Sequence, residues 1–131
     1  MKSEKCFEKF VKNGKLILDN SIIEFDKIQW SNHSTFDGVS LKHIVTSKET
    51  DGEFSYHLVR IEPNKKIGIH IHQDQLETHE VISGEGKLIK NESEFHYETG
   101  VIAIFPKGVK HEIIASTTGL YLFAKFFPAL V

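Results

Sequence analysis

HIHQDQLETHE, residues 70–80, and GVIAIFPKGVKH, residues 100–111, are the two stretches on which the reading of this chain turns. Side chains two apart on a strand point to the same face, so His70 and His72 send both imidazoles to one side. Their Cα atoms then lie roughly 6–7 Å apart, close enough to share one metal ion. Glu77 follows after four residues, enough for a turn or kink that brings a neighbouring strand alongside. The second stretch supplies a strand, a Pro106-x-Gly108 turn and a fourth candidate ligand, His111. Three histidines and one carboxylate form a mixed N/O donor set suited to one divalent transition metal ion: iron, manganese, nickel, copper or zinc.

These residues resemble the cupins, whose first motif reads G-x5-H-x-H-x3,4-E-x6-G and whose second reads G-x5-P-x-G-x2-H-x3-N. On this chain the first motif (63–84) runs from Asn64 through His70, His72 and Glu77 to Gly84. The second (100–115) runs from Gly100 through Pro106 and Gly108 to His111. Asn64 stands where the family prefers glycine, a mild change because asparagine also tolerates positive φ. Ala115 stands where the family often has asparagine. The resemblance implies an all-β, single-domain antiparallel barrel of the double-stranded β-helix or jelly-roll type over residues 1–131, with a short N-terminal helix or arm. It also implies a homodimer.

Composition sets the outer limits. A chain of 131 residues is one domain, and ten Phe, one Trp and many aliphatic side chains can build its core. Lys and Arg number 16 against 18 Asp and Glu, which suggests neither a nucleic-acid footprint nor a membrane partner. A single cysteine, Cys6, fits a reducing compartment, and the charged N-terminus has no apolar signal core. The expected location is cytoplasmic.

Helical spacing of Cys6, Phe7, Phe10 and Val11 predicts a short amphipathic helix over 3–12, ended at Asn13-Gly14. Its apolar face either caps the barrel or packs on a second subunit. After Gly14 the pattern predicts short strands at 15–18, 22–25, 39–45, 54–62, 68–72, 77–83, 87–90, 94–97, 101–105, 112–115 and 120–127, separated by turn signals. The glycines Gly84 and Gly86 read as one of those turns. Alternation puts Val39, Leu41, His43 and Val45 on the inner face, with His57, Val59 and Ile61 beside them. His79 and Val81 follow Glu77 inward, and each of these assignments slips by one where a bulge intervenes. Residues 101–105 are apolar on both faces, as in a strand covered by the core on one side and by a second layer or subunit on the other.

Each polar candidate has a functional and a plain reading. His79 is the candidate catalytic acid or base; otherwise it is a satisfied interior histidine, or a partner that orients Glu77. His43 and His57 are expected to line a substrate pocket. His33 and His96 read as surface residues. Lys125 is either an anion hook or a stem lying along apolar surface with its ammonium in water, the plainer choice. Trp30 and Phe36 either lid the barrel mouth or pack as ordinary hydrophobes. Cys6 reads as a small hydrophobe.

Four protein ligands on an octahedral ion leave about two positions open for substrate, water or dioxygen. The expectation is therefore a metal-binding cupin enzyme acting on a small oxygenated molecule. Cupins of this shape include dioxygenases, decarboxylases, lyases and sugar isomerases. The alternative is a non-catalytic module that binds or senses a small ligand or metal.

Overall fold

The computed structural model describes residues 2–131. Its first element is the helix α1 (Lys2–Asn13), followed by the strands β1 (Lys15–Ile17) and β2 (Ile22–Glu24), which form a small hairpin. The main sheet contains β3 (Trp30–Asn32), β4 (Val39–Val45), β5 (Ser55–Ile61), β6 (Lys66–His70), β7 (Leu76–Lys90), β8 (Ser93–Tyr97), β9 (Ile102–Phe105) and β10 (His111–Phe127). A one-turn helix α2 (Ser47–Thr50) joins β4 to β5.

Two long strands hold the barrel together. The first part of β10 pairs with β6 and with the second half of β7; its last part pairs with β5 and with the first half of β7. Strands β8 and β9 then attach to opposite halves of β7. Each long strand therefore belongs to both walls of the barrel. The turn predicted at Gly84-Glu85-Gly86 is instead a bend within β7, so strands predicted at 77–83 and 87–90 are one. Likewise 112–115 and 120–127 are one strand, bent near Gly119. The register shifts between Ala115 and Leu120 at this point, with Gly84 at φ 85° and Gly119 at φ 76°. A Cβ on Gly84 would run into the Gly119 carbonyl, so the crossing of the two bends requires glycine there.

The interior cluster includes Val39, Val59, Ile61, Val81, Leu122 and Phe126. A second cluster lies on the outer face, under α1. There Phe7 stacks on Tyr121 at 4.6 Å between ring centroids, and Phe10 meets Phe25 and Phe123. The predicted helix thus forms and covers the outside of the sheet within its own chain; Cys6 is exposed rather than packed. Alternation along β4 holds as far as His43. A register shift between His43 and Val45 then turns Val45 into the outer cluster beside Ile44.

Lys42 is buried on the outer side, donates from Nζ to the Phe25 carbonyl (2.7 Å) and lies over the Trp30 ring. Trp30 therefore belongs to this outer layer. Lys125 also faces outward, lies over Tyr56 and Phe123, and pairs with Glu80 at 2.6 Å. Along β9, Phe105 is buried, but Ile102 and Ile104 are 65% and 54% exposed, so nothing among the described residues covers that face.

Candidate metal centre

Each candidate ligand lies at or just beyond an element end, where the backbone is free to aim a side chain. His70 closes β6, His111 opens β10 directly opposite it, and Glu77 lies one residue inside β7. His72 sits beyond the strand, and its carbonyl accepts the Gly108 N–H at 2.9 Å. That bond ties the Pro106-x-Gly108 turn of the second motif to the histidine pair of the first. Gly108 takes φ 81° to make the turn.

The four donor atoms lie within 4.8 Å of one another. His70 donates from Nδ1 to the Gly68 carbonyl (2.7 Å), and His111 donates from Nδ1 to the Val109 carbonyl (3.0 Å). Both bonds fix the tautomer that leaves Nε2 as a lone pair facing the cluster. Glu77 Oε1 is 2.9 Å from His111 Nε2 and 3.7 Å from His72 Nε2. Glu77 Oε1 and His111 Nε2 are buried and form no hydrogen bond. Unpaired buried polar atoms are costly, and a cation between them would satisfy both.

Protonation favours the same state. Burial lowers the His70 pKa to about 4 and pushes His72 below its ordinary value, so both imidazoles are neutral at neutral pH. Burial works against a charged Glu77, but the adjoining His79, 2.8 Å from Oε2, outweighs it and holds the carboxyl well below the usual range. Neutral imidazoles with one carboxylate are the ionisation states that a divalent ion requires.

His79 has both ring nitrogens engaged. Nε2 contacts Glu77 Oε2 at 2.8 Å, and Nδ1 contacts the hydroxyl of buried Tyr97 at 3.0 Å. Of the roles weighed above, this geometry is that of a group orienting Glu77: with Oε2 engaged, Oε1 is left to the ligand cluster. Tyr97 lies far from the motif ligands in sequence. Burial and, after it, the Glu77 charge raise the Tyr97 pKa, so it remains a hydroxyl.

His43 and His57 pair with each other, Nδ1 to Nδ1 at 2.7 Å, and His57 Nε2 contacts Ser55 Oγ at 2.8 Å. They do not line the cavity beside the ligands; Phe126 touches both the His57 and the His72 rings. That cavity, about 390 Å³, is reached by His70, His72, Glu77 and His79 and walled by Phe36, Leu41, Val59, Ile67, Phe126 and Leu130. His33 and Thr35 also line it, so His33 is half-buried at the cavity rather than free in solvent. Its polar loop reads as solvated, and only the fold brings that loop over the barrel. A wider hollow of about 570 Å³ meets His111 but none of the other three ligands.

A family model described as "Cupin domain" matches residues 57–123, and the chain belongs to the cupin family. No curated protein matches it. Similar solved structures include a predicted oxalate decarboxylase from Thermotoga maritima, at 20% identity and TM-score 0.69, covering 79% of this chain and 95% of that one. A sugar phosphate isomerase from a cupin superfamily, from Silicibacter pomeroyi, is 21% identical with TM-score 0.70, covering 80% and 74%. The polyketide cyclase RemF from Streptomyces resistomycificus is 13% identical with TM-score 0.68, covering 79% and 75%. At these identities the likeness is one of fold, and the three names span different reactions. No helix among the described residues is long and apolar enough to cross a membrane.

Proposed function

We propose that this cupin holds one divalent transition metal ion through His70, His72, Glu77 and His111 and acts as an enzyme on a small oxygenated molecule. The observation that carries this reading is the buried convergence of four donor atoms, two of them without hydrogen bonds. A bound ion would supply Lewis-acid polarisation of a substrate oxygen at its open positions. The chain's own contribution is to keep His70 and His72 neutral by burial and to hold Glu77 ionised through His79. It also shields the site behind Phe36, Phe126 and Leu130. Elemental analysis of protein purified without added metal tests the first half of the proposal. Oxygen-uptake and decarboxylation screens over small keto and hydroxy acids test the second.

The apolar walls give weight to a second reading, a module that binds a small ligand without transforming it. Tight ligand binding to the metal-loaded protein without turnover in those screens would select it. We also propose a homodimer, supported by the uncovered Ile102 and Ile104 on β9. Sedimentation of the wild type and of Ile104→Lys tests this, with a shift to monomer expected in the variant.

A further inference from the structure

The walls of the cavity restrict what can enter it. Among the described residues, no lysine or arginine lines it, and its only polar groups besides the ligand cluster and His79 are His33 and Thr35. His33 cannot serve as a cation. Its Nδ1 accepts two backbone N–H groups, from Thr35 at 3.0 Å and from Phe36 at 3.2 Å. A proton on Nδ1 would face both donors, so the ring is neutral and its only N–H is on Nε2. Any hydrogen bond from this ring to an occupant must come from that atom. Packing against Phe36, at 4.8 Å between ring centroids, holds the ring in place.

Charge completes the restriction. A divalent ion, three neutral imidazoles and ionised Glu77 sum to one positive charge. A singly charged ligand brings the site to neutrality. A second negative charge would be buried against apolar walls with no cation to meet it, which is costly. We infer that the cavity accepts a small, mostly apolar molecule with a single chelating oxygen head, neutral or singly negative, and that His33 donates to it from Nε2. This rests on the metal-site reading above.

The test uses the cobalt(II)-loaded protein and two probes, 4-nitrobenzohydroxamate and 4-carboxybenzohydroxamate. These share a head group and approximate size and differ by one charge. Visible absorption of the cobalt reports binding. The nitro compound should bind at least ~10-fold more tightly. His33→Asn keeps an acceptor for the two backbone amides and removes the Nε2 donor. It should weaken the nitro probe by ~10-fold, as expected for loss of one hydrogen bond, while cobalt affinity stays unchanged. Equal or tighter binding of the carboxy probe, or wild-type binding in His33→Asn, overturns the inference while leaving the metal site intact. Failure to take up one equivalent of cobalt in a preceding calorimetric titration overturns both.

Discussion

Glu77 Oε1 and His111 Nε2 stand 2.9 Å apart in the barrel interior, and neither makes a hydrogen bond. One residue comes from the start of β7 and the other from the start of β10. Glu77 pairs with Phe126 and Phe105, and His111 with His70 and Lys90, so closure of the barrel, not their own pairing, brings the two together. In the metal-free protein this leaves two desolvated polar atoms in contact. Metal binding should therefore stabilise the fold. At an ion concentration 100-fold above Kd, linkage gives about 2.7 kcal/mol, readable as a rise in Tm that a chelator reverses. His72→Ala should abolish the rise, and a metal-dependent shift of wild-type size in that variant would count against the ligand set.

Tyr97 acts on the site through His79. Tyr97→Phe removes the hydroxyl 3.0 Å from His79 Nδ1 without opening a large cavity. Glu77 then loses the group that fixes its orienting partner. Metal affinity should fall about 10- to 100-fold, the range for second-layer contacts. A calorimetric metal titration checks this, and an unchanged Kd would remove Tyr97 from the site.

The His43–His57 pair makes a separate prediction about pH. Burial and, after it, the neighbouring His43 lower the His57 pKa from 6.5 to about 4. Between those values the unfolded chain binds a proton that the folded chain refuses. Stability is complete above pH 6.5 and is lost as pH falls towards 4. His57 alone should contribute about 2–3 kcal/mol of that loss. Urea unfolding of metal-free protein at pH 7 and pH 5 should show it, and His57→Gln should flatten the slope. His70, also lowered to about 4, makes metal affinity fall in the same direction.

Gly84→Ala should destabilise the chain by about 2–4 kcal/mol, because it combines positive φ with a collision at the Gly119 carbonyl. Thermal melts measure this. Gly52→Ala, also at positive φ but with open space around it, should cost only about 1 kcal/mol and serves as the comparison.

The four donor residues were legible because strand periodicity and turn chemistry act over a few residues. His70-x-His72 sits where a strand ends, and Pro106-x-Gly108 turns the chain into His111. The inward direction of His57, Val59 and His79 followed from alternation in the same way. The capping box of α2 is equally local, although no helix is predicted there: Thr46 Oγ1 accepts the Lys48 N–H, and Glu49 Oε1 accepts the Thr46 N–H.

Tertiary structure alone decided the rest. The two-residue period could not show that β7 and β10 run unbroken through their glycine bends, because that depends on pairing with strands distant in sequence. Nor could it show that His33 swings over the cavity, that Tyr97 reaches His79, or that His57 pairs with His43 away from the ligands. The candidate ligands follow from short-range motif spacing around a strand end and a turn. Their partners and the walls around them come from segments that meet only when the apolar interior closes.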